Sequence, residues 1–237
     1  MKLNKKAITI LFCVLVVALA ATAVSAKSKD KKDDSGAGSS TEFPVHIKNF
    51  GRVNDFYYRG AQPEREEYAE LAKLGVKTVI DLRDEPATFA ATSAEAAGLR
   101  YINFPLSDTK YPATDVANKF LSIVTDEANW PVYVHCAGGR HRTGAMTAVY
   151  RMTIEGWDTA KAYEEMKKYD FYTRWGHGSI KDYVFDYGSA KLDDKRTEWY
   201  DKGKAMKSSL ALGGLKGPAT ATATAAVSAE HIVTPNQ

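Results

Sequence analysis

Between Val53 and Tyr187 the spacing of apolar residues switches between the strand and helix periods, and each switch predicts an element. Val53 to Tyr58 reads as a strand, followed by a turn at Arg59-Gly60-Ala61-Gln62-Pro63. Glu64 to Leu74 puts Tyr68, Leu71 and Leu74 on one side of a helix that Gly75 stops. Val76 to Leu82 is β-branched and apolar, as expected of a central strand. Thr88 to Ala97 is an Ala-rich helix ending at Gly98, and Tyr101 to Phe104 is a strand ending at Pro105. Thr114 is placed to cap a helix with Val116, Phe120, Leu121 and Val124 on its inner face. Val132 to His135 is the next strand and Thr143 to Ile154 the next helix, with further helices over Thr159–Lys168 and Ser179–Tyr187. The alternation predicts an α/β fold: a single domain with a central, mostly parallel sheet flanked by helices. In such sheets ligands bind beyond the carboxyl ends of the strands.

The two ends follow other rules. Met1 to Ala26 has a basic start (Lys2, Lys5, Lys6), an apolar run from Ala7 to Val24, and small residues at Val24-Ser25-Ala26, the pattern of a cleaved signal peptide. An uncleaved anchor is the alternative, since the apolar run approaches membrane-spanning length. Residues 27–42 are polar and Ser/Gly-rich, a flexible linker. The domain is expected over 43–205, and a low-complexity, disordered tail over 206–237, Ala- and Thr-rich from Gly213 onward. Removing the signal takes three lysines and no acid, so the formal charge of +3 falls to zero. Nothing then points to nucleic acid or an anionic membrane as partner, and a monomer is expected. Cys13 leaves with the signal, so Cys136 is the one thiol of an exported chain and no internal disulfide is available.

That thiol lies in the most informative run of the chain, His135-Cys136-Ala137-Gly138-Gly139-Arg140-His141-Arg142-Thr143-Gly144. Cys136 sits where a strand ends, a helix follows, and five residues separate it from Arg142. Small residues let the N–H groups of Ala137, Gly138, Gly139 and their neighbours turn inward as an anion cradle, and the helix N-terminus adds its positive end. Such a field favours thiolate over thiol, which makes Cys136 an activated nucleophile. Arg142 can grip two phosphate oxygens with its planar fork. His46, His135, His141, His177 and His231 show no metal-ligand spacing, so neither a metal nor another cofactor is expected.

The run H-C-A-G-G-R-H-R-T resembles the H-C-x-x-G-x-x-R-[S/T] signature of the cysteine-dependent protein tyrosine and dual-specificity phosphatases. Phe56-Tyr57-Tyr58-Arg59-Gly60-Ala61-Gln62-Pro63 and Val79-Ile80-Asp81-Leu82-Arg83 extend the resemblance, most closely to the atypical enzymes of plants, fungi and bacteria. It implies a dual-specificity phosphatase-like fold and a phosphocysteine mechanism. It places the general acid on a loop comparable to Phe104–Pro112, where Asp108 stands 28 residues before the cysteine; turn formation is the plainer role for Asp108 and Asp115 the rival acid. It also implies that the Thr143 hydroxyl stabilises the departing sulfur and that His135 orients the loop. Gly139-Arg140-His141-Arg142-Thr143-Gly144 is similar to the G-K-H-R-T-G of the plant and fungal enzymes associated with inositol pyrophosphates. Those enzymes carry basic residues directly after the cysteine, where this chain has Ala137 and Gly138. Arg59, Gln62, Arg83 and Asp84 either border the site or brace it, and Trp175-Gly176-His177-Gly178 has no assigned role. The expected substrates are a phosphorylated protein or a small phosphate ester, with inositol (poly)phosphate as the alternative. A rhodanese-like sulfurtransferase and a silent phosphate-binding module are the remaining readings.

Overall fold

The computed structural model describes residues 45–190 and 194–212; the expected signal, the linker and the tail from residue 213 lie outside the described residues. Five strands form one sheet: β1 (Gly51–Asn54), β2 (Tyr57–Ala61), β3 (Thr78–Arg83), β4 (Arg100–Leu106) and β5 (Val132–Cys136). Their spatial order is β1-β2-β5-β3-β4. Only the β1–β2 pair is antiparallel, which gives the expected mostly parallel sheet. β5 lies at the centre, and the register sets Cys136 beside Ala61 of β2.

Seven α-helices accompany the sheet among the described residues: α1 (Glu67–Lys73), α2 (Ala90–Ala96), α3 (Val116–Val124), α4 (Arg142–Thr153), α5 (Thr159–Lys168), α6 (Gly178–Ser189) and α7 (Asp194–Leu212). Strand side chains alternate between two apolar layers, as the pleat requires. Val79, Tyr58 and Tyr133 face one layer with Tyr68, Leu71, Ala90 and Ala94 of α1 and α2. Tyr57, Ile80, Leu82, Val132, Val134 and Cys136 face the other, with residues of α3, α4, α5 and α6. Every residue of α4 is buried. The helix that follows the cysteine is therefore fixed on all sides, and its first residue, Arg142, has little freedom to move.

Several expected boundaries change. The run Val53–Tyr58 is not one strand: the Asn54 side chain accepts a hydrogen bond from the Phe56 N–H (3.2 Å) and reverses the chain into the β1–β2 hairpin. Arg59, Gly60 and Ala61, expected in a turn, are the end of β2. β4 continues through Pro105 to Leu106, because it is an edge strand and a missing N–H costs nothing on its open side. Thr114 does not cap α3: the cap position is Asp115, without a side-chain cap bond, and Asp115 pairs instead with Lys119. Helix α7, absent from the expected elements, runs to Leu212 past the expected domain end at 205; its Trp199 and Met206 pack against the core.

Candidate active site

The loop over 137–141 is shaped from outside by its carbonyls. The Ala137 carbonyl accepts from the Gln62 N–H (3.2 Å), the Gly138 carbonyl from Asn49 Nδ2 (2.8 Å), and the Gly139 carbonyl from Arg59 Nη2 (2.7 Å). Since N–H and C=O oppose each other across a planar peptide, these three ties turn the amides of Gly138, Gly139 and Arg140 toward the inside of the bend. Gly139 has φ +67°, and a Cβ there would lie 2.5 Å from the main-chain carbon of Gly60. Arg59 is fully buried and lies 3.8 Å from the centre of the Tyr169 ring, which fixes the pin that holds Gly139.

Cys136 sits at the centre of this bend, buried and free of any disulfide. Burial raises its pKa, but the opposing influences prevail and the thiol is held below its ordinary value. They are the Thr143 hydroxyl, the Thr143 amide, the Arg142 charge and the Gly139 amide. Among the described residues the Thr143 hydroxyl has no oxygen or nitrogen partner, so its proton is left for the sulfur. His135, wholly buried, has its Nδ1 3.4 Å from the Cys136 carbonyl and 3.8 Å from Asp81. Burial pushes its pKa down to about 4 against the attraction of Asp81, so the ring is neutral near pH 7 and serves as a brace.

Arg142 Nη1 donates to Asp84 (2.7 Å) and to the Leu106 carbonyl at the end of β4 (3.0 Å). A register shift between β3 and β4 at Asp81/Arg83 brings Leu106 opposite Arg83, and so places that carbonyl. Arg142 Nε is buried without a partner among the described residues, which leaves this edge of the guanidinium for an anion. Burial opposes the Asp84 charge, yet its own and Glu85's main-chain amides and Arg142 hold its carboxyl below the usual range. Arg83 Nη1 donates to Gln62 Oε1 (2.9 Å), and Gln62 Nε2 donates to Tyr68 (2.8 Å). Arg59, Gln62, Arg83 and Asp84 thus all brace the loop or its arginine.

Asp108 is half-buried on the segment beyond β4. Its carbonyl accepts from His177 Nδ1 (2.8 Å), and the His177 ring stacks on His141 with centroids 3.6 Å apart and planes 12° apart. His141 also meets Phe171 and Tyr172 edge-on. Burial first, then His177 and Arg140, push the His141 pKa down to about 4, with the Tyr172 main chain and Asp108 opposing. Arg140, on the loop rim, lies 3.7 Å from Asp170. Ala137 is exposed, Gly138 half-buried and Gly139 buried. The structure therefore gathers Cys136, Arg142, Thr143, His135 and the loop residues, and ties the Asp108 segment to them through His141 and His177. Asp115 answers Lys119 at the start of α3. Two residues that matter to the geometry escape sequence reading. Asn49 acts across 89 positions from a backbone at φ +52°, and His177 shows only as a glycine-flanked histidine. Among the described residues no group of three His, Cys, Asp or Glu is placed to hold a metal ion.

A mostly parallel sheet whose central strand ends in a cysteine, an amide-lined loop and an arginine opening a buried helix is the arrangement of the tyrosine/dual-specificity class of phosphatase folds. The chain belongs to that class's family described as "DSP-PTPase phosphatase fused to NAD+ Kinase", whose pattern matches residues 46–181. Dual specificity protein phosphatase TpbA of Pseudomonas aeruginosa is 31% identical over 124 residues, 52% of this chain and 55% of that protein. Inositol diphosphatase DSP5 of Arabidopsis thaliana is 29% identical over 141 residues, 57% of this chain and 67% of that one. The chain spans about half the length of the TpbA sequences it matches. The core catalytic domain of the PP-IP phosphatase SIW14 from S. cerevisiae superposes with a TM-score of 0.57 at 23% identity, over 68% of this chain and 96% of that one, and shares its fold.

Proposed function

We propose that this chain is a metal-independent phosphomonoesterase of the tyrosine/dual-specificity protein phosphatase type, acting through a phosphocysteine. The observation that carries the reading is the set of three outward-tied carbonyls around a thiol whose pKa is lowered. The Cys136 thiolate attacks phosphorus, and the bond from phosphorus to the ester oxygen breaks. The departing oxygen takes its proton from the Asp108 carboxyl. The loop amides and Arg142 hold the equatorial oxygens, which carry most of the charge in the transition state. Water then attacks phosphorus and gives a proton to the Asp108 carboxylate. The sulfur–phosphorus bond breaks, and the Thr143 hydroxyl stabilises the returning thiolate.

Similarity to inositol diphosphatase DSP5 supports a second reading, an inositol (poly)phosphate phosphatase on the same scaffold. Arg140 on the loop rim is the cation that reading needs, yet Asp170 at 3.7 Å already answers part of its charge. Phosphotyrosine peptides and inositol polyphosphates assayed side by side separate the two, and the higher kcat/KM decides. For the mechanism, p-nitrophenyl phosphate turnover is expected to survive EDTA and to fall roughly 10⁴-fold or more in Cys136→Ser. Turnover that requires added metal and persists in Cys136→Ser overturns it. The N-terminal pattern supports export: in cells expressing the full chain, mature protein beginning near Lys27 is expected outside the cytoplasm. Full-length chain retained in the cytoplasm contradicts it.

A further inference from the structure

The segment Gly176–Ser179 stands outside the phosphate-binding machinery, and its contacts converge on one place. His177 Nδ1 lies 2.8 Å from the Asp108 carbonyl. A carbonyl oxygen only accepts, so the proton is on Nδ1. Two residues on, the Ser179 hydroxyl donates to the Thr109 carbonyl. Further along α6, Tyr111 donates to Asp186 (3.0 Å) and meets Tyr183 edge-on. The Asp108–Tyr111 segment is thus fastened at three successive points to one helix and its N-terminal turn. One face of the His177 ring lies flat on His141, a residue of the cysteine loop, and His177 is itself buried.

We infer that His177 is a positioning residue: through its Nδ1–H bond to the Asp108 main chain and its stack on His141, it sets the general acid against the cysteine loop. The inference rests on Asp108 being the acid of the proposed mechanism. His177 touches no reacting atom. Losing its hydrogen bond frees the Asp108 main chain, so proton delivery to the leaving group fails while the nucleophile, Arg142 and the loop amides stay in place. In the first transfer, which kcat/KM reports, an ester whose leaving group departs without a proton should not register the change.

The test compares phenyl phosphate, a poor leaving group, with p-nitrophenyl phosphate, a good one, in His177→Ala, His177→Asn, Asp108→Asn and the His177→Ala/Asp108→Asn double variant. His177→Ala is expected to lower kcat/KM for phenyl phosphate about tenfold or more and to leave kcat/KM for p-nitrophenyl phosphate within about threefold of the parent, since kcat/KM reports the first transfer and not the later step in which Asp108 is the base. An Asn side-chain N–H can replace Nδ1–H, so His177→Asn is expected to recover most of the loss. In the Asp108→Asn background His177→Ala is expected to cost nothing further. Equal losses on both esters, no rescue by Asn, or an additive loss in the double variant overturns the inference and leaves the Asp108 assignment standing. Asp108→Asn that fails to discriminate the esters overturns that assignment and the inference with it. If His177→Ala does not fold, Ser179→Ala, which frees the Thr109 carbonyl, is expected to show a smaller loss of the same ester-selective kind; a loss blind to the leaving group again overturns the inference.

Discussion

The two halves of the site are held in opposite ways. The cysteine loop is braced by the Gln62 main chain just after β2, by the half-buried Asn49 side chain and by the buried Arg59, and it feeds a helix buried on every side. The Asp108 segment lies beyond an edge strand and is fastened by side chains of α6 and its N-terminal turn, His177, Ser179 and Asp186, through hydrogen bonds that are exposed or half-buried. Preorganised donors are most effective when they cannot relax, which suits the half proposed to bind the phosphoryl group. An acid that later serves as base must meet a leaving group in one step and water in the next, which a segment fastened at a few points allows. In the proposed mechanism the braced half holds the phosphoryl group and the fastened half delivers the proton to the leaving group.

One pair of variants breaks this comparison most sharply, because both replace glycine at positive φ. Gly139→Ala adds a Cβ 2.5 Å from the Gly60 main chain at φ +67°, and the backbone there cannot give. Activity on every ester is expected to fall on the order of 100-fold, as when a preorganised donor is lost, with stability lower by about 1–3 kcal/mol from the strain. Gly176→Ala, at φ +88°, meets the Thr109 methyl at 3.2 Å, a side-chain end that can rotate. Its expected loss in kcat/KM is about tenfold or less and confined to poor leaving groups. Kinetics on phenyl and p-nitrophenyl phosphate with thermal melts decide it; similar, ester-blind losses from both variants erase the distinction between the halves.

A smaller effect comes from protonation. The folded-state pKa values of His135 and His141 are depressed from 6.5 to about 4, so between those values the unfolded chain binds protons that the folded chain refuses. The stability these groups contribute is present above pH 6.5 and is lost as pH falls toward 4, at up to roughly 1.4 kcal/mol per pH unit for one proton. The exposed His46, raised by its bond to Glu70, works weakly in the opposite sense. Urea unfolding at pH 7, 6 and 5 is expected to show falling stability, with a shallower fall in His135→Asn. A stability flat across that range contradicts the buried, neutral state of His135.

Much of the nucleophile side is legible in the sequence because its chemistry is local. Cys136, the small residues, Arg142 and Thr143 lie in one run, and the strand and helix around it follow from periodicity. The braces are less legible because they are long-range. Arg59 reads as a turn residue until β2 is seen to extend to Ala61, and Asn49 carries no motif at all. The hairpin at Asn54 is hidden inside a run apolar enough for one strand, and its turn is tied by the Asn54 side chain, which also reaches Tyr150 and Glu155 about a hundred positions away. Helix α7 shows charged residues throughout and docks through Trp199 and Met206, too few apolar positions to mark a buried stripe in the sequence. His177 stands out as a residue, but the partner that gives it meaning lies 69 positions away.

The most direct test of the mechanism is covalent trapping. Asp108→Asn, which lacks the base for the second step, should be mixed with p-nitrophenyl phosphate, quenched rapidly, and the peptide carrying Cys136 read by mass spectrometry. The account predicts a phosphate adduct on Cys136 that builds up in Asp108→Asn and is absent from Cys136→Ser. Turnover without any adduct on that peptide, or an adduct that remains in Cys136→Ser, contradicts it.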